Sequence, residues 1–143
     1  MSNNALISDF LKLYNQLDKS NLELLGEVYG DNIVFEDPLH RIEGLPALTD
    51  YFANMYENLN QGQFDIHTSF EQDNKASVYW VMTFSHKKIK KGEPLKVNGN
   101  TYLEFENGKV VYHRDYFDAG EMIYQHLPVF GTVINIIKRR TAA

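Results

Sequence analysis

Asp37, His113 and Asp115 could do acid–base chemistry if the fold gathers them in one apolar space. Asp37 lies in VFEDPLHRIEG (residues 34–44), beside Glu36 and just before Pro38. His113 and Asp115 stand two apart in KVVYHRDYFDAG (residues 109–120). Alternate residues of a strand share a face. Ile33, Phe35 and Asp37 therefore fall together, opposite Val34 and Glu36, and an apolar face turned inward carries Asp37 in and leaves Glu36 in solvent. By the same parity Val111, His113, Asp115 and Phe117 form the inner face of the last strand. A carboxylate in such a place must be paired, hydrogen-bonded or protonated. Proteins keep groups of this kind either as satisfied structural networks or as proton-transfer machinery. In the second case Asp37 is the base, and His113 with Asp115 is the donor or orienting pair. In the first, Asp37 caps the turn at Pro38, His113 is a satisfied core histidine, and Asp115 pairs with Arg114, Arg41 or a helix end. Residue types alone leave both open.

The elements that must position these groups are legible as changes of period. Residues 4–18 place Leu6, Phe10, Leu13, Tyr14 and Leu17 at three- and four-residue spacing, which predicts an amphipathic helix. DKSN (18–21) offers caps for a short second helix, LELLGEVY. IVFED is a strand ended by Pro38, and EGLPALTDYFANMYENL is a third helix with Leu48, Phe52, Met55, Tyr56 and Leu59 on one face. Residues 63–71, 76–86, 95–106 and 109–118 then read as strands, the last two joined by an Asn-Gly turn at 107–108. Helices followed by a meander of long antiparallel strands predict an α+β fold with the helices on one concave sheet face. The expected lining of that concavity is Tyr14, Phe35, Phe52, Met55, Tyr56, Trp80, Met82, Phe84, Thr101, Leu103 and Phe117. Residues 1–126 would form this domain. Residues 127–143, apolar with a basic end at KRR, would add a C-terminal helix acting as a lid or a self-association contact, lying on an anionic membrane surface, or forming a frayed tail.

Composition narrows the partners. The 143 residues carry 43% hydrophobic and 13% aromatic side chains, enough for a packed core and for a cavity with aromatic walls. A net charge of −5 argues against a nucleic-acid binder, and HKKIKK (86–91) reads as a charged hairpin tip. Without cysteine there is no disulfide framework, thiolate nucleophile or cysteine metal site. The five histidines at 40, 67, 86, 113 and 126 lack an i, i+4 ligand spacing, so no metal is expected. The start MSNNALISDF has no secretory pattern and no apolar run could span a bilayer, which predicts a cytoplasmic location.

The order of elements together with FEDPLHRIEG and KVVYHRDYFDAG resembles the nuclear transport factor 2-like superfamily over about residues 4–120, and within it the SnoaL-like group. That superfamily includes ketosteroid isomerase and SnoaL-like polyketide cyclases. The resemblance implies a cone-shaped, mostly antiparallel curved sheet against three N-terminal helices, a homodimer, and a pocket for a small apolar molecule worked on without a cofactor. It implies a proton-shuttling role for Asp37, whose Glu-Asp-Pro context is similar to the isomerase's. Thr101 stands where the isomerase has its acidic oxyanion donor, and Leu13, with Tyr14 one residue away, stands where it has a tyrosine. An isomerase, cyclase or hydratase using Asp37 with His113 and Asp115 is thus the enzymatic expectation. A non-catalytic ligand-binding or dimeric interaction module is the other.

Overall fold

The computed structural model describes residues 4–86 and 94–118. Helix α1 (Asn4–Gln16) leads through a single 3-10 turn (Leu22–Leu24) into the one-turn helix α2 (Leu25–Val28). Strand β1 (Tyr29–Glu36), the short β2 (Arg41–Glu43) and helix α3 (Leu45–Asn58) follow. The chain then forms β3 (Leu59–Gln72), β4 (Lys75–His86), β5 (Leu95–Glu106) and β6 (Lys109–Tyr116). The expected extension at 127–143 and most of the HKKIKK tip lie outside the described residues.

The helical stripes behave as their spacing requires. Ile7, Phe10, Leu13 and Leu17 of the first helical segment are buried, as are Leu48 and Phe52 of α3. Each such side chain taken fully out of water contributes about 1.5–3 kcal/mol to burial. Two hairpins turn on residues that accept positive φ. Asp73 and Asn74 (φ 52° and 63°) join β3 to β4, and Asn107 and Gly108 (φ 52° and 79°) join β5 to β6. Paired positive φ values fit the right-handed twist of the flanking strands. Gly44 (φ 92°) donates its N–H to the Ile33 carbonyl at 2.8 Å while its own carbonyl accepts the Leu48 N–H, so α3 starts directly against β1.

The six strands form one curved, unclosed sheet in the order β2-β1-β6-β5-β4-β3, with the three helices packed against it. Every neighbouring pair is antiparallel except β1 and β6, which run parallel. This parallel ladder sets Phe35 beside His113 and Glu36 beside Arg114, joining residues far apart in sequence. The core lies between the helices and the inner sheet face, where Leu25, Ile33, Leu48, Val78, Leu103 and Val110 have no exposure. No helix among the described residues is long and apolar enough to cross a membrane.

A hydrogen-bonded candidate site on the inner sheet face

His113 reaches the interior through an irregularity in β6. The β5–β6 pairing runs Glu104↔Tyr112 and then Phe105↔Val110, so Val111 is an extra residue, a β-bulge. Simple alternation puts Val111 on the face of His113, but the bulge reverses parity there. Val110 is the fully buried valine, and His113, only 1% exposed, faces inward with it. Across the sheet Leu103 pairs with His113, Thr101 with Asp115, Val78 with Thr101 and Trp80 with Gly99. These registers assemble one row of polar groups on an otherwise apolar face.

The row is continuously hydrogen-bonded, and chemistry fixes the direction at one end. An indole N–H can only donate. Trp80 Nε1 therefore donates to Thr101 Oγ1 (2.8 Å), and the Thr101 hydroxyl donates onward to Asp115 Oδ1 (2.5 Å). A carboxylate oxygen only accepts, so with Asp115 ionised His113 Nε2, 2.7 Å away, carries a hydrogen and donates it to Oδ1. The other ring nitrogen, Nδ1, lies 2.8 Å from the Tyr29 hydroxyl, which lies 2.6 Å from the Tyr14 hydroxyl. With a neutral imidazole, Tyr29 donates to Nδ1 and Tyr14 donates to Tyr29. With an imidazolium, Nδ1–H donates to Tyr29, Tyr29 donates to Tyr14, and the Tyr14 hydrogen is released outward. Burial pushes the hydroxyl pKa of both tyrosines well above the ordinary value of 10.0, with the Asp115 carboxylate acting in the same direction. Both hydroxyls are therefore held neutral.

Tyr14 is a wall of two hollows. The outer one, about 260 Å³, is bounded by Tyr14, Asn15 and Leu17 of the first helical segment, Met55 and Tyr56 of α3, and Gln63, Phe64, Asp65 and Met82 of β3 and β4. Burial raises the Tyr56 hydroxyl to about 12. The inner one, about 20 Å³, is lined by Phe10, Tyr14, Phe64, Ile66, Val78, Trp80, Thr101, His113 and Asp115. That is room for about one water molecule.

Asp37 belongs to a different cluster. β1 ends at Glu36, and Asp37 begins the turn 37–40, where its N–H donates to the His40 carbonyl at 3.0 Å. Its Oδ1 accepts the Leu39 and His40 N–H groups (2.8 and 2.7 Å) and lies 3.1 Å from His40 Nδ1. Oδ2 accepts the Tyr51 hydroxyl at 2.8 Å. Burial, followed by this bond to Asp37, raises the Tyr51 pKa far above its usual value. The Asp37 side chain is only 6% exposed, yet it lines neither hollow. Phe35 contacts both clusters, with ring centroids 4.6 Å from His113 and 5.4 Å from Tyr51.

The structure thus brings His113 and Asp115 together and holds Asp37 elsewhere. Glu36, expected in solvent, is instead clasped on the outer sheet face by the Tyr112 hydroxyl, Arg41 (2.5 Å) and Arg114 (2.9 Å). The Tyr112 bond first, then the Arg41 bond, hold its carboxyl below the usual carboxylate range. Of the expected lining, Tyr14, Met55, Tyr56 and Met82 border the outer hollow and Tyr14, Trp80 and Thr101 the inner one. Phe35, Phe52, Phe84 and Leu103 are core residues, and Phe117 packs beside Trp80 at 6.3 Å between ring centroids. Tyr29 and Tyr51 belong to these clusters without standing out in the sequence. Tyr29 shares the parity of Ile33 and Phe35, a signal usable only once β1 is known to start at residue 29. Among the described residues no group of three or more His, Asp or Glu side chains gathers as a metal site.

Solved structures share this architecture at low identity. A provisional SnoaL-like polyketide cyclase from Jannaschia sp. CCS1 superposes with a TM-score of 0.77 at 12% identity, covering 89% of this chain and 95% of its own. A protein with a ketosteroid isomerase-like fold from Catenulispora acidiphila DSM 44928, solved with trimethylamine, gives 0.73 at 12% identity over 87% and 94% of the two chains. A Mycobacterium tuberculosis epoxide hydrolase of the LEH-like type gives 0.70 at 17% identity over 93% and 96%. Identities this low establish a shared fold, and activity is carried by the site rather than the fold. No curated protein matches the sequence. Residues 10–113, however, match the SnoaL-like domain model, from within α1 to the buried His113, and the chain belongs to the SnoaL-like domain family.

Proposed function

We propose that this chain binds a small, largely apolar molecule in the outer hollow and moves a proton on it without a cofactor, in an isomerase-, cyclase- or hydratase-type reaction. The observation that carries the reading is the chain Tyr14–Tyr29–His113–Asp115, which starts at a half-buried carboxylate and ends at a wall of the hollow. In the donating direction Tyr14 gives its hydroxyl hydrogen to the ligand oxygen, Tyr29 replaces it, and His113 Nδ1–H replaces that of Tyr29. The imidazole ends neutral, with Asp115 still holding Nε2–H. Running the steps backwards takes a proton from the ligand and leaves an imidazolium stabilised by Asp115. Asp37, with its carboxylate oxygens occupied by the turn and Tyr51, holds the turn 37–40 in this reading.

One observation favours a second reading, non-catalytic binding. Both nitrogens of His113 are engaged, so its ring meets a ligand only through the tyrosines. The test screens small alcohols, ketones and enones for thermal stabilisation of the protein, then follows every stabilising compound by mass spectrometry and NMR for conversion. Conversion slowed about 10²–10⁴-fold in Tyr14→Phe and His113→Ala, and retained in Asp37→Asn, is expected. Conversion at the wild-type rate in folded Tyr14→Phe and His113→Ala proteins refutes the relay. Loss confined to Asp37→Asn returns the base to Asp37. Stabilisation with no conversion supports the binding reading.

A further inference from the structure

Phe64 borders both hollows, and its place between them has a consequence for what the site can accept. It projects from β3, paired with Met82 of β4. Its ring meets Tyr14 edge-on at 5.5 Å between centroids and Trp80 edge-on at 5.2 Å. Trp80 is 4% exposed and lies on the inner side with Thr101, His113 and Asp115. Met55, Tyr56 and Met82 line only the outer side. With about 20 Å³ inside, no organic molecule reaches His113 while Phe64 keeps this position. Pockets for drug-sized ligands run to roughly 300–1,000 Å³, and the outer hollow, at about 260 Å³, lies below that range.

Building on the ligand-binding reading above, we infer that Phe64 is the partition that determines specificity. It confines the ligand to the outer hollow, so that Tyr14 is the one member of the proton chain a ligand touches. The substrate class this selects is a compact, one-ring-sized apolar molecule bearing a hydroxyl or carbonyl oxygen directed at Tyr14. Bulkier two-ring molecules are refused by Phe64 itself. Its ring is held by two edge-on aromatic contacts, which resist displacement by a ligand of modest affinity.

Trp80 is the sole tryptophan and reports on the inner hollow without any ligand. Acrylamide quenching of its fluorescence is measured in the wild type, Phe64→Leu, Phe64→Ala, Phe64→Tyr and Met82→Ala, each checked for fold by circular dichroism. The Stern–Volmer constant should rise severalfold in Phe64→Ala, less in Phe64→Leu, and stay at the wild-type value in Phe64→Tyr and Met82→Ala. Thermal shifts with benzyl alcohol and naphthalenemethanol form the second arm. Wild type should favour benzyl alcohol, and Phe64→Ala should reverse the order. Unchanged quenching in folded Phe64→Ala and Phe64→Leu overturns the partition, as does an unchanged order of the two alcohols. If quenching rises as expected but neither alcohol binds any of the proteins, the partition stands and the ligand-binding reading of the outer hollow falls.

Discussion

Replacing Gly99 by alanine tests how the hydrogen-bonded row is anchored. A Cβ built on Gly99 would lie 2.1, 2.3 and 2.6 Å from three carbons of the Trp80 ring. Carbon atoms pack at about 3.5–4.0 Å, so the indole must withdraw by more than about 1 Å. The rings of Phe64 and Phe117 pack on that indole, and withdrawal strains those contacts too. The Trp80 Nε1 to Thr101 Oγ1 bond of 2.8 Å would then stretch past hydrogen-bond range. Overpacking costs about 1–3 kcal/mol and a lost buried hydrogen bond about 1 kcal/mol more, which together make roughly 2–4 kcal/mol. For a domain of this size that corresponds to a fall in Tm of roughly 5–15 °C. Circular dichroism melts give the stability, and the Trp80 emission maximum, expected to shift to the red, gives the local displacement. A Tm within about 2 °C of wild type with unchanged emission would refute the argument that the glycine exists to seat the indole.

Two pH-dependent outcomes follow from the shifted groups. Tyr14 and Tyr29 are neutral in the folded protein well above pH 10, whereas the unfolded chain releases their protons near that value. Their contribution is complete below pH 10 and is lost as pH rises, by up to about 1.4 kcal/mol per pH unit for each tyrosine. Urea melts from pH 9 to 11 should show this decline, and Tyr29→Phe should flatten it. Glu36 behaves oppositely. Its carboxyl is held below its ordinary value of 4.5, so its contribution is present above that pH and lost as the pH falls through the folded value. Melts of Glu36→Gln should differ from wild type near neutrality and converge with it in acid.

The parts of the fold that are local in sequence are legible there. The apolar stripes of α1 and α3 repeat within a few residues, and Asn107-Gly108 supplies the two positive φ values its hairpin needs. The bulge at Val111 is not legible, because one extra residue in a run of strand formers leaves no compositional mark. It turns a constant-parity reading into one that holds on one side of residue 111 only. Tyr29 is hidden for a related reason. LELLGEVY has helical character as far as Val28, and only the pairing of β1 with β6 makes residue 29 extended. Asp37 illustrates the limit of alternation at a strand end. It follows Ile33 and Phe35 in parity, but the ladder stops at Glu36 and the backbone turn decides where its carboxylate goes. The Asp115–His113 pair needed only two-residue spacing on one face, whereas Thr101 and Trp80 joined it through inter-strand register that no single segment encodes.

The lone parallel ladder, β1 against β6, makes Tyr29 and His113 partners across 84 positions of chain. Loop closure over such a span is slow compared with hairpin formation. The meander can therefore zip up early while the tyrosine–imidazole junction waits for the opposite ends of the domain to meet. A half-assembled form in which β1 has not yet docked on β6 would hold the meander but not the Tyr29–His113 contact, so any function that needs the proposed hydrogen-bonded chain becomes a late milestone of maturation.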